Sequence, residues 1–271
     1  MTTEFEGKAL AAIRANPMGT LLALDFDGTI AEIINDPTNA YAHPLALDAL
    51  ARLGAVLGKV AVITGRPVEV AKRLGRFADR AGLEDLVILG QYGVERWDAA
   101  TGDVTAPPVP DSVAELEAML PGWLDAHEAS GLMIEHKGRA IVLHTRGHDD
   151  PAGTAGRLFG PVSDLAASYG LIVEPGKNVL EIRAGGYDKG DALRELVAEF
   201  GADQVIFAGD DLGDLPAFEA VSELRAIGKP GILICSASHE QDALVARADV
   251  VVEGPAGVAA WLNRLADELD A

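Results

Sequence analysis

The stretch Leu21-Leu-Ala-Leu-Asp25-Phe26-Asp27-Gly28-Thr29 decides how the rest of the 271-residue chain is read. Four apolar residues without polar alternation mark a strand buried on both faces, as in a parallel sheet. Two aspartates at i and i+2 close the run; in extended backbone they project to one side and Phe26 to the other. Gly28 permits a sharp turn just beyond, with backbone N–H groups left to face an anion. This first strand is expected over 20–25, and similar apolar runs recur at 59–64, 86–89, 204–208, 232–235 and 248–252. Helical spacing fills most of the gaps, at 44–57, at 67–77 and at 189–200. Strand and helix alternating in this way predict an α/β, doubly wound, Rossmann-like parallel sheet. Its ligand site should lie beyond the carboxyl ends of the strands.

The middle of the chain has another pattern. Thr105-Ala-Pro-Pro-Val-Pro is a stiff connector, followed by a helix over 111–128 and strands at 132–136 and 140–146 around Lys137-Gly-Arg. A helix over 151–169 and strands at 171–174 and 178–183, turned at Pro175-Gly-Lys, repeat the order. That makes an α+β unit of roughly 75 residues, an ordinary size for a small domain. The expected organisation is a core of residues 1–108 and 186–271 with residues 109–185 inserted between its halves. The crossings at Pro107–Pro110 and Gly185-Gly186 suit a hinge.

A second acidic cluster ends another apolar run, Val205-Ile-Phe-Ala-Gly209-Asp210-Asp211-Leu-Gly213-Asp214. Parallel strands deliver both clusters to one edge, where as many as five carboxylates converge: Asp25, Asp27, Asp210, Asp211 and Asp214. A hard divalent cation relieves such repulsion, and oxygen-only ligation points to Mg²⁺. The competing reading is that each aspartate caps the helix that follows it. Val60-Ala-Val-Ile-Thr64-Gly65-Arg66 adds a hydroxyl and an amide at a strand tip, and Tyr187-Asp-Lys189-Gly190 adds a lysine at a helix start. Taken singly, Thr64 reads as a cap and Lys189 as a surface lysine. In order with both acid clusters, they supply the donors that hold a phosphoryl group.

Composition limits the partners. Twenty-two Lys and Arg against 42 Asp and Glu give a formal charge of −20, which disfavours nucleic acid and anionic membrane surfaces. Hydrophobic residues at 49% exclude a disordered chain. The start of the sequence lacks a signal-peptide pattern and no run reaches 18 apolar residues, so a cytoplasmic protein is expected. The single cysteine, Cys235, lies in Gly231-Ile-Leu-Ile-Cys235-Ser and reads as a small core residue. His43, His127, His148 and His239 fall outside the motifs and read as loop or surface residues.

In this order, DxDG(T) at Asp25, the threonine at Thr64, the lysine at Lys189 and GDD at Gly209, the chain resembles the haloacid dehalogenase-like phosphohydrolases. The resemblance implies that Asp25 attacks phosphorus to form an aspartyl-phosphate, and that Asp27 protonates the leaving oxygen and then activates water. It implies Mg²⁺ on Asp25, the main-chain carbonyl of Asp27 and Asp210, with Asp211 and Asp214 in support. Thr64 and Lys189 would bind the transferred group, with Gly65 and Arg66 beside the substrate.

The insertion corresponds in that superfamily to a cap, here of the C2B type, that selects the leaving group. Strand alternation would put Glu135 and Lys137 on one face, His144 and Arg146 on one face, and Glu181 with Arg183. By itself this pattern also fits a solvated sheet face with cross-strand ion pairs. Glu-x-Lys, His-x-Arg and Gly176-Lys-Asn-Val-Leu-Glu181-Ile-Arg183 resemble the cap of trehalose-6-phosphate phosphatases, as does Gly90-Gln-Tyr-Gly93-Val-Glu95 after the third strand. That resemblance assigns sugar contacts to Glu135, Lys137 and Glu181, and extends them to His144 and Arg146. Two departures stand out: Gly213 and Leu215 replace the Thr and Glu of the family's GDDxTDE, and Tyr92 stands where His is common. The expected function is Mg²⁺-dependent hydrolysis of trehalose 6-phosphate by a monomer whose partner is a small-molecule sugar phosphate. The alternatives are another disaccharide or pseudo-disaccharide phosphate as substrate, and a non-catalytic sugar-phosphate sensor.

Overall fold

The computed structural model describes residues 3–34, 36–78, 80–176, 178–237 and 242–271. His239 and Lys177, the latter in the expected Pro175-Gly-Lys turn, lie outside them. The chain divides into two compact units, Met1–Ala106 with Tyr187–Ala271, and Pro107–Gly186.

The first unit is built on β1 (Thr20–Leu24), whose five residues are all buried. It pairs in parallel with β2 (Lys59–Ile63) on one side and β10 (Gln204–Gly209) on the other. The sheet continues outward through β3 (Val87–Gly90) past β2, and through β11 (Gly231–Ala237) and β12 (Val250–Glu253) past β10, all parallel. Two short antiparallel strands, β4 (Glu95–Asp98) and β5 (Val104–Thr105), complete one edge. The chain order therefore reverses at β1, the switch point where open α/β sheets bind ligands.

The two faces of β1 feed different cores, as a period of two requires. Leu22, Leu24 and Phe26 enter one core with α2 (Pro44–Gly54), α3 (Val68–Gly75) and α9 (Gly254–Glu268). Leu21 and Ala23 enter the other, with α6 (Lys189–Phe200) and α7 (Leu215–Ala226). Asp25 continues the second parity, towards the starts of α6 and α7. Phe26 packs edge-on against Phe77, ring centres 6.5 Å apart, in the first core.

Cys235 is fully buried in the second core, where burial pushes its thiol up to about 11 with the nearby Asp210 and Asp214 adding to the effect. The native protein should therefore resist iodoacetamide at pH 8 and react fully in denaturant, which counting modified thiols by mass spectrometry checks.

The second unit folds as α4 (Asp111–Ala126), β6 (Met133–His136), β7 (Ala140–His144), α5 (Pro151–Ser168), β8 (Leu171–Gly176) and β9 (Val179–Ala184). Its sheet is antiparallel, in the order β6-β7-β9-β8. Ile141, Leu143, Leu180 and Ile182 form a core with Leu116 and Leu120 of α4 and Leu158 and Val162 of α5. Register places Glu135, Val142, Glu181 and Glu174 in one row across the face turned away from those helices.

Two expectations are corrected here. β7 stops at His144, so Arg146 lies in an exposed turn and strand alternation does not set its direction. Lys137 lies just past β6 and closes the hairpin through its amide to Ala140 O (2.8 Å). No helix among the described residues is long and apolar enough to cross a membrane.

Candidate active site

Three carboxylates meet beyond the carboxyl ends of β1 and β10. Asp25, Asp210 and Asp214 each place an oxygen within 4.8 Å of the others, and all three are buried. Asp25 follows β1 directly, its amide bonded to Ala208 O of β10 at 2.9 Å. Asp210 follows β10, and a single 3₁₀ turn over Leu212–Asp214 brings Asp214 back beside it. The second carboxylate oxygen of Asp214 accepts from the amides of Asp210 (2.9 Å) and Asp211 (3.2 Å), which fixes that return.

Lys189 opens α6 and inserts its ammonium between two of these acids, 2.6 Å from Asp25 Oδ1 and 2.7 Å from Asp214 Oδ1. A lysine at a helix N-terminus faces the positive end of the macrodipole, and the two acids compensate. Asp188 caps α6 by accepting from the amides of Gly190 (2.8 Å) and Asp191 (2.9 Å). A Cβ at Gly190 would lie 2.5 Å from Pro216 O, so only glycine lets the starts of α6 and α7 come this close. Gly28 is equally constrained, with φ +74° and space for a Cβ only 2.0 Å from the Asp210 carboxylate.

Burial pushes the Asp25 carboxyl up to about 8 against the pull of Lys189, and the Asp210 carboxyl up to about 10 with Asp25 and Asp214 adding to the rise. Asp214 is raised by burial in the same direction. Burial opposes the charge on Lys189, but Asp214 and Asp25 hold its ammonium well above the usual lysine range. Ionising all three acids against one ammonium would leave two negative charges in a buried space, which is what raises the carboxyls. A divalent cation would neutralise them, and the donors are all hard oxygens. The residues present therefore fit such an ion.

The five acids do not all converge. Asp27 is turned onto Arg66, which grips both its oxygens at 2.6 Å (Nε to Oδ2, Nη2 to Oδ1). Arg66 is itself steered by Pro37 O (2.9 Å) and stacks over Phe26. Asp211 is exposed and takes the capping role, accepting from Gly213 N at 2.8 Å. Nor is the Gly28 amide left for an anion, because it donates to Ala31 O at 2.7 Å.

Thr64 is buried at the tip of β2, where its hydroxyl accepts from Arg66 N at 3.1 Å. Tyr92 N donates to Thr64 O and Gln91 N to Arg66 O, both at 2.9 Å, bracketing the Thr64-Gly65-Arg66 loop. The Tyr92 ring sits over Gly65, and Glu95 accepts from Val68 N at 2.8 Å. Where the resembling family has Glu, Leu215 packs onto the second core.

One residue that the sequence reading passed over holds the site. Ser236 Oγ donates to Gly28 O at 2.6 Å, a buried bond that anchors the turn after Asp27. Its signal was a polar residue closing the apolar run of β11. In the second unit, Lys137 pairs with Glu181 (2.8 Å), His144 with Glu135 (2.7 Å) and Arg183 with Glu174 (2.8 Å), the last acid unremarked in the sequence.

The doubly wound core and the α+β insertion recur as a fold in other proteins. Solved structures agree: a haloacid dehalogenase-like hydrolase from Bacteroides thetaiotaomicron superposes with TM-score 0.65 at 17% identity, over 91% of this chain and 99% of its own. The C-terminal domain of a trehalose-6-phosphate phosphatase from C. albicans superposes with TM-score 0.77 at 18% identity, over 98% and 97%. The chain belongs to the trehalose-phosphatase family, whose model matches residues 23–250. Among curated relatives, a trehalose-phosphate phosphatase from Mycobacterium marinum is 29% identical over 260 residues, covering 90% of this chain. An uncharacterized glycosyl hydrolase from Mycobacterium tuberculosis is 32% identical over 258 residues, or 91% of this chain. The chain spans 61% of the first relative's length and 18% of the second's.

Proposed function

We propose that the chain is a Mg²⁺-dependent phosphatase that hydrolyses trehalose 6-phosphate to trehalose and phosphate through an aspartyl-phosphate on Asp25. One observation carries the reading: a buried aspartate at the sheet's switch point, held on Lys189 beside two further buried acids. Family membership and the named relatives support the substrate.

Asp25, Asp210 and Asp214 would hold the ion, together with the main-chain carbonyl of Asp27. Bound there, Mg²⁺ supplies positive charge to the phosphoryl oxygens. A carboxylate oxygen of Asp25 attacks phosphorus as the bond from phosphorus to the sugar oxygen breaks, and Asp27 gives that oxygen its proton. Asp27 then takes a proton from water as the water oxygen attacks phosphorus, which breaks the bond to Asp25 and regenerates its carboxylate. Both oxygens of Asp27 are occupied by Arg66. That pair therefore has to open before Asp27 can deliver a proton. Lys189 and Thr64 hold the transferred group, and Asp211 acts only through the turn it caps.

Glu135, Lys137 and Glu181 read the sugar hydroxyls, with His144 orienting Glu135. Glu181→Ala should lower kcat/KM for trehalose 6-phosphate about 10- to 100-fold, the worth of a charge-assisted hydrogen bond. Hydrolysis of p-nitrophenyl phosphate should change little, and equal losses on both substrates would remove the cap from sugar recognition.

The raised carboxyls make stability depend on pH when the site is empty. Asp25 and Asp210 have folded values, about 8 and about 10, above the ordinary carboxyl value of 3.8. Their contribution is complete below that ordinary value and is lost as pH rises through the folded ones. In EDTA, Tm should therefore fall between pH 6 and pH 9; with Mg²⁺, whose ligands are already deprotonated, the fall should shrink. Calorimetry in both conditions checks this.

Phosphate release from a panel of sugar phosphates, with and without EDTA, tests the function. Trehalose 6-phosphate should lead and EDTA should abolish release. Leu215 favours one second reading, a related disaccharide phosphate as substrate, which the same panel separates.

A further inference from the structure

A cavity of about 440 Å³ lies in the first unit between the starts of α2 and the segment that follows α3. Its size suits a small metabolite. Glu32, Tyr41, His43, Asp48, Arg76 and Arg80 help line it, and the reaction derived above uses none of them.

Arg76 stands out on backbone grounds. It ends α3 with φ 51°, a left-handed position where helices usually place glycine. An arginine there has a backbone cost of order 1 kcal/mol or more, which points to a use for the side chain. Its guanidinium lies 4.6 Å from the centre of the Tyr41 ring and forms no ion pair among the described residues. Two further nitrogens lack partners: Nδ1 of His43 and Nε of Arg80 are buried with no hydrogen bond in the structure. Both atoms are closed off from solvent, so a ligand in the cavity would meet the exposed end of the Arg80 side chain instead. Arg80 meets Asp48 through its terminal nitrogen, so Asp48 is already engaged. Glu32, exposed at the rim, remains an acceptor for hydroxyl groups.

We propose that this cavity binds a small hydroxylated phosphate ester, its phosphate on Arg76 and the exposed end of Arg80 and its hydroxyls on Glu32 and over the Tyr41 ring. A guanidinium pair matches phosphate geometry, and an aromatic face with a carboxylate matches a polyol. The ligand would adjoin the reaction's machinery along the chain: the segment that forms this wall also carries Pro37, whose carbonyl holds Arg66.

The arginine Nε–H resonances of the intact wild-type protein test the proposal, because they report on this cavity separately from the aspartate cluster. Glucose 6-phosphate is the probe, with inorganic phosphate and glucose as separate arms. The expected result is saturable movement of the Arg76 and Arg80 signals by glucose 6-phosphate, at least roughly tenfold weaker affinity for phosphate alone, and no response to glucose. Arg76→Gln should raise the Kd for glucose 6-phosphate about tenfold or more, with Tyr41→Ala as the second variant should the first not fold. Absence of saturable shifts at Arg76 and Arg80, phosphate binding as tight as the ester, or affinity unchanged in the variant would each overturn it. These outcomes do not depend on whether Asp25 is the nucleophile.

Discussion

Asp25→Asn is expected to lower turnover of trehalose 6-phosphate by on the order of 10⁶-fold, the scale on which hydrolases lose rate when their nucleophile is removed. The amide cannot attack phosphorus and is a poor ligand for a hard cation. The fold should survive. Asparagine has nearly the same shape, Lys189 keeps Asp214 at 2.7 Å, and the buried cluster loses one of its three mutually repelling acids. The metal-free variant should therefore melt no lower than the wild type. Steady-state kinetics on several substrates and a thermal scan in EDTA measure both halves; a turnover loss of less than tenfold would remove Asp25 from the role assigned to it.

Lys189→Met should have the largest effect on stability. The ammonium is fully buried between Asp25 and Asp214, at 2.6 and 2.7 Å. Removing one partner from a buried ionic cluster leaves uncompensated charge, which typically costs about 3–5 kcal/mol. Methionine preserves most of the side-chain volume, so the loss reports charge rather than a cavity. Urea unfolding in EDTA at neutral pH should show it as a lower midpoint with an unchanged slope. Mg²⁺ should recover part of the loss by supplying the missing positive charge. A variant as stable as the wild type would mean that the acids do not rely on this lysine.

What the sequence made legible follows from which physical rules act locally. The run Leu21-Leu-Ala-Leu had to be a buried parallel strand, and alternation from Leu21 and Ala23 carries Asp25 to the side where α6 and α7 begin. The same rule extended to Asp27 misplaces its side chain, because β1 ends at Leu24 and the Gly28 turn leaves Asp27 to a two-point grip by Arg66. That grip comes from a residue 39 positions away, and no local pattern announces it. Within GDDLGD, Asp211 only caps, whereas Asp214 closes the other half of that capping box and also reaches Lys189, a distinction made by one 3₁₀ turn that spacing alone does not encode. β4 was missed because Glu95-Arg-Trp-Asp is a polar edge strand without an apolar run. In the second unit, alternation placed Glu181 and Arg183 together on the face away from the helices, where both are paired. It failed at Arg146, where the strand had already ended.

The central claim is that Asp25 carries the phosphoryl group between the two halves of the reaction, and a chemical trap tests it most directly. Enzyme turning over trehalose 6-phosphate with Mg²⁺ is quenched and reduced with borohydride, which converts an acyl phosphate on aspartate to homoserine. The account predicts homoserine at position 25, dependent on substrate and abolished by EDTA. Rapid turnover with position 25 untouched, or the trapped group at another residue, would contradict it.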